Sequence, residues 1–129
     1  MQNAHRHRNL VIGIEDHGLI ARISGEDRRL VPWSDVVGIG AGRASLDTDV
    51  WILVLAIEII TDMELRALIV GEIEPPWLAL TAILPSAFEG CSDFDTWAQQ
   101  ALAASGPITL YQRENRLFAV LTRQSGEEH

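Results

Sequence analysis

Three carboxylates, Asp35, Asp47 and Asp49, come nearest to residues that could do chemistry in this chain. Paired carboxylates can hold a divalent cation, and a cation so held can activate water for hydrolysis. Asp47-Thr48-Asp49 offers two such ligands close together, with Asp35 and Asp62 as more distant contributors. A calcium loop, however, requires about six to eight oxygen ligands at ordered spacing, which Asp-Thr-Asp does not supply. A solvated turn leading into an apolar strand explains the same residues. A metal-dependent hydrolase using Asp35, Asp47 and Asp49 therefore stands as an alternative reading, and the main expectation is no catalytic residue, no metal and no cofactor.

Two other constellations lead to the same expectation. Gly38-Ile39-Gly40-Ala41-Gly42 follows a strand, as a dinucleotide fingerprint would. That motif needs a further glycine and a helix opening behind it, so that backbone amides and the helix dipole meet a pyrophosphate. Arg43 stands where the last glycine belongs, and Ala44-Ser45-Leu46-Asp47 continues as strand. Cys91 and His17 are a conceivable thiolate and base, but nothing in the local sequence brings them together. A lone cysteine between helices reads as a small buried hydrophobe. All ten basic residues are arginine. With no lysine, Schiff-base chemistry and a Walker-type phosphate lysine are excluded, and a single cysteine excludes an internal disulfide and a thiolate zinc cluster.

The elements that must position any site begin with Val50 to Ile60, Val-Trp-Ile-Leu-Val-Leu-Ala-Ile-Glu-Ile-Ile, an apolar run broken only by Glu58. It is rich in β-branched residues and bounded by polar turns, which reads as a strand buried on both faces. It is shorter than the roughly 20 apolar residues of a membrane-spanning helix. Upstream, Leu10 to Ile14 and Leu19 to Ser24 pair across Glu15-Asp16-His17-Gly18, Gly25 turns, and Leu30 to Pro32 and Val36 to Ile39 are extended. Downstream, residues 64–70 pair with the central strand, with Met63, Leu65, Ala67 and Ile69 as the main apolar set. Pro75 and Pro76 suit a helix start, and Trp77, Leu80, Thr81 and Leu84 fall on one face before Pro85 stops the helix. In the second helix Ser92 or Asp93 is the cap, and Phe94, Trp97, Ala98, Ala101 and Leu102 make the stripe. Residues 108–113 return to strand, and 117–122 are extended or helical.

The fold class is α+β: a meandering antiparallel sheet of five to seven strands, curved or partly closed as a barrel, with two helices in the C-terminal half. Residues 1–8 read as a leader, 9–123 as one domain and 124–129 as a tail. The net charge of −8 argues against nucleic acid, whose binding depends on a positive surface, and favours a basic protein partner. No signal peptide is visible, so the cytoplasm is expected, without membrane insertion. Core roles are expected for Trp51, Trp77 and Trp97. Trp33, between Pro32 and Ser34-Asp35 near a sheet edge, is the candidate exposed anchor, and Trp33, Asp35, Asp47 and Asp49 are the candidate protein-binding residues.

Gly18-Leu19-Ile20, followed by Leu30-Val31-Pro32-Trp33-Ser34-Asp35-Val36-Val37-Gly38-Ile39, resembles the second and third strands of small bacterial pleckstrin-homology-like domains. An apolar-Trp-x-Asp-Ile-x-x-Ile pattern recurs there. The resemblance covers under a third of the chain and implies a curved sheet closed by helices, with a role in binding rather than chemistry. Such domains end in one helix, whereas two helical segments are read here. Their phosphoinositide-binding members carry basic residues in the first hairpin loop, where this chain has Glu15-Asp16-His17-Gly18, so lipid headgroup binding is not expected. The function expected is a small non-enzymatic interaction or regulatory module; an immunity-type inhibitor covering a basic toxin or nuclease is the alternative. Because both faces of the central strand call for cover, a symmetric homodimer is also expected.

Overall fold

Alternation of side chains along Val50–Thr61 sorts that strand into two sets, and the whole architecture follows from which set is covered. The structure, a computed structural model, describes residues 9–23 and 27–113. The expected leader, the Gly25 turn, the 117–122 segment and the tail lie outside these residues. Seven strands form two antiparallel sheets: β1 (Leu10–Glu15), β2 (Gly18–Arg22) and β3 (Arg29–Pro32) in one, and β4 (Val36–Asp47), β5 (Val50–Thr61), β6 (Glu64–Gly71) and β7 (Ile108–Gln112) in the other. The second sheet runs in the order β6-β5-β4-β7. A single 3-10 turn, Trp33–Asp35, carries the chain from one sheet to the other. The helices, α1 (Trp77–Ala87) and α2 (Phe94–Ala103), lie in the C-terminal half, and the strands of the described residues form no closed barrel.

One core joins these parts. Leu53, Leu55, Ile57 and Ile59 of β5 are buried together with Leu19, Ala21 and Val31 of the small sheet and with Trp77, Leu80, Leu84, Trp97 and Ala101 of the helices. The small sheet and both helices therefore cover the same face of the large one. The opposite set, Ile52, Val54, Ala56, Glu58 and Ile60, stays half-exposed. This corrects the expectation of a strand buried on both faces: among the described residues only one layer covers it, and apolar residues on both sides show what a strand tolerates.

The same register corrects β6. Leu68 pairs with Ile57 and Val70 with Leu55, so Leu68 and Val70 enter the core while Leu65 and Ile69 face outward, each 45% exposed. Helix α1 runs two residues past Pro85 to Ala87. A proline in the last turn forfeits only one amide bond, and the Phe88 amide still closes the turn on the Leu84 carbonyl. In α2 the Asp93 carboxylate accepts the Thr96 amide at 3.1 Å, a proper N-cap. Hydrogen bonding from the Thr96 side chain and amide holds that carboxyl below its usual range.

The β5–β6 hairpin turns on Asp62 and Met63, with φ of 55° and 65°. Both are left-handed, as a two-residue mirror-image turn demands, and neither is glycine. Arg29 of β3 steadies the turn, donating to Thr61 Oγ1 at 3.1 Å and lying 3.5 Å from Asp62 Oδ2. Met63 is 70% exposed, so its side chain has little burial to offset its backbone strain. Left-handed backbone costs a side-chain-bearing residue about 1–2 kcal/mol, and glycine returns about 0.4–1 kcal/mol of that through unfolded-state entropy. Met63→Gly is thus expected to raise the thermal midpoint, by about 0.5–1 kcal/mol of stability. A midpoint at or below that of the wild-type chain in a melting experiment would contradict this account of the turn.

Candidate interaction surface

Strand β4 separates the sequence-predicted acids. Asp35 sits in the 3-10 turn at its start, and Asp47 ends it twelve residues later; at about 3.3 Å per residue that is roughly 40 Å. Asp35 therefore cannot share a cation with Asp47 and Asp49. Among the described residues no group of three or more His, Cys, Asp or Glu side chains is placed to hold a metal. Asp47 and Asp49 flank the tip of the β4–β5 hairpin, where Asp47 Oδ1 accepts the Thr48 amide at 2.7 Å. Cys91 is buried, its thiol is pushed up by desolvation, and its sulfur contacts the Ser92 carbonyl at 3.6 Å. His17 lies exposed in the β1–β2 turn, without an ion pair to the thiol.

The tryptophans exchange roles. The Trp33 indole N–H donates to the Asp16 carbonyl at 2.8 Å, its amide to the His17 carbonyl at 3.2 Å, and its ring meets Phe88 edge-on with centroids 5.5 Å apart. Trp33 is thus a half-buried brace between the β1–β2 turn and the end of α1. Trp51, expected in the core, is 59% exposed. It belongs to the same alternating set as Leu53 and Leu55, but the layers that cover those residues do not reach it. Strand β7 pairs with β4 only as far as Ala41, and β6 pairs with β5 only from Val54 onward. Residues 42–47 and 50–53 consequently run on as a two-stranded ribbon beyond its neighbours.

On this ribbon the Arg43 guanidinium lies over the Trp51 ring, 5.7 Å from its centroid, and donates to the Ala104 carbonyl at 3.3 Å. That carbonyl follows the last turn of α2, where a cation is favoured. Arg43, Trp51 and residues 104–107 line an open notch of about 210 Å³. Among the described residues no carboxylate lies within salt-bridge distance of Arg43. Its remaining donors, held in place by the ring and the carbonyl, are available to an acceptor. Tryptophan and arginine together are the side chains most often found to dominate protein interfaces.

Sequence reasoning missed both residues, although a signal existed. Counting back across the Asp47-Thr48-Asp49 turn pairs Trp51 with Ser45 and Leu53 with Arg43. Two polar side chains on the face that should be core mark the point where cover ends. Comparison of the chain with protein-family models, with curated proteins and with solved structures found no match. No helix among the described residues is long and apolar enough to cross a membrane.

Proposed function

We propose that the chain is a small non-enzymatic interaction or regulatory module of the cytoplasm, which docks a basic protein partner at the end of the β4–β5 ribbon and self-associates as a homodimer. The observation that carries this reading is the exposed indole of Trp51, held under Arg43 at the rim of a notch. A large ring left in water at a braced position offers contact area whose ordering has already been met by the fold. Asp47 and Asp49, exposed at the adjoining tip, and the overall charge of −8 favour a basic partner and disfavour nucleic acid. The same combination suits an inhibitor that covers a basic toxin or nuclease. The Trp33 strand pattern supports a kinship with small pleckstrin-homology-like domains, a kinship that would leave the ligand to be decided by the surface.

Trp51→Ala tests the reading. A partner enriched on the wild-type chain from its own cell extract should be lost on the variant, with affinity reduced at least tenfold, as expected for a hot spot worth about 2 kcal/mol. Circular dichroism and melting should stay as in the wild type, because the ring supports no core contact. Association with the isolated partner should slow as salt rises. Undiminished capture by Trp51→Ala would remove the ribbon end as the docking site.

A further inference from the structure

We infer that the face of the large sheet left uncovered among the described residues is the homodimer interface, joined by a two-fold axis parallel to the strands and passing near Ala56. This rests on the self-association proposed above and assigns it a surface that meets the Trp51 notch only at Pro107. The face is ridged on one side and hollow on the other. Along β6 the exposed side chains of Leu65 and Ile69 stand up; along β4 the outward positions are Gly38, Gly40 and Gly42, with Gly40 level with Ile69 and Leu65 standing beyond the glycines. The ladders place Ile69, Ala56 and Gly40 level with one another, and likewise Ala67, Glu58 and Gly38. Beside Gly40 lies an open groove of about 180 Å³, bordered by Ala56, Glu58, Pro107, Thr109 and Gln112.

A two-fold axis along β5 exchanges β6 with β4 across the interface. The Ile69 ridge of one copy then lies over the Gly40 groove of its partner, and the reverse holds by symmetry. An axis across the strands would instead set ridge on ridge. Strands spaced about 4.8 Å apart and rising about 3.3 Å per residue give the face roughly 500 Å² before side-chain relief is added. A specific interface takes about 800 Å² of accessible surface per partner, which places this face in the range of a modest dimer.

Charge also selects the occupant. The chain holds 28 acidic and basic residues, yet the outward positions of β5, β6 and this part of β4 carry only Glu58 among them, and at the far end the Glu74 carboxylate borders the face beside Gly71, 3.5 Å from where its Cβ would stand. A strongly charged partner finds no more than these two carboxylates to pair with here, whereas two acidic copies can approach most closely through a surface this sparsely charged. Glu58 leans over β4, its Oε1 lying 2.6 Å from where a Gly38 Cβ would stand. In the dimer it would face its own copy near the axis, as an internal restraint on affinity.

Sedimentation equilibrium of the full chain from about 1 to 100 μM, a span that covers typical modest affinities, is the first measurement. A concentration-dependent mass rising from 14.3 kDa toward twice that value is expected. Ile69→Lys should abolish the rise while leaving the circular dichroism spectrum unchanged, and Glu58→Gln should lower the dissociation constant about tenfold by removing the facing charges. Ala56→Cys should be joined to its copy by a short bis-maleimide; Leu102→Cys, on the exposed side of α2, should not. A monomer throughout the range, including one whose face is covered by its own residues 114–129, would overturn the inference, as would a dimer that ignores Ile69→Lys or cross-links through position 102. Those outcomes leave the partner test at Trp51 standing, because Trp51→Ala should not change the mass.

Discussion

Trp97→Ala is expected to cost about 3–5 kcal/mol, the usual loss when a large aromatic leaves a core, which is between about a fifth and the whole of an ordinary stability of about 5–15 kcal/mol. Trp97 is fully buried. It meets Phe94 edge-on at a centroid distance of 5.1 Å and Trp77 at 6.1 Å, so one ring binds α2 to the start of α1 above the β4–β5 core. No other side chain could expand into that space without leaving its own contacts. Trp97→Phe separates packing from polarity. The buried indole N–H has no hydrogen-bond partner among the described residues, so phenylalanine loses volume but also removes a donor that is costly to bury. Its cost should be well under half that of alanine. Urea unfolding gives both numbers; an alanine variant within about 1 kcal/mol of wild type would lie below the range for such deletions and would show that α2 does not depend on this contact.

Gly18→Ala should be nearly as damaging although it adds a single methyl group. A Cβ at Gly18 would stand 2.1 Å from the Val31 carbonyl oxygen and 2.9 Å from the Pro32 Cα. Both are backbone atoms of the paired strand β3, so relief requires β2 and β3 to separate. Overpacking of this kind costs about 1–3 kcal/mol and sometimes more. Gly38→Ala is the informative contrast. Its nearest neighbour is the end of the flexible Glu58 side chain, at 2.6 Å, which can swing into solvent, and Gly42→Ala meets Pro107 at an ordinary 3.7 Å. The order expected in thermal melts is Gly18→Ala far below Gly38→Ala and Gly42→Ala. Equal midpoints for the three would mean that the β2–β3 pairing is looser than its register implies.

Both predictions rest on distinctions that differ in how far the sequence carries them. Trp97 was legible as core because its helix repeats apolar residues at helical spacing behind an aspartate cap, and Trp97, Ala98 and Ala101 are indeed buried. Leu102, at the edge of the same stripe, is exposed, since helix periodicity fixes an angle but not the width of the groove that receives it. The glycines at 38, 40 and 42 read in sequence either as weakening their strand or as marking a bulge where another backbone passes close, and at Gly40 a Cβ would lie 3.3 Å from the Ile108 carbonyl of β7. Which strand would pass there was not legible, because β7 returns from beyond both helices.

The candidate site divides in the same way. Sequence by itself determined the α+β class, the strand and helix positions, the lack of lysine chemistry and the acidic balance, because these depend on residue types and on short-range periodicity. It also showed that β5 is apolar on both sides. Only the tertiary structure decided that both helices and the small sheet stack on one side, that Trp51 extends past that cover while Trp33 is braced within it, and that Asp35 lies a full strand away from Asp47. Periodicity states that a residue can be buried; where the covering layers end depends on chain segments far away in sequence. For Trp51 that limit is drawn by α2 and β7 from across the fold, and the ring remains in water because neither extends far enough to reach it.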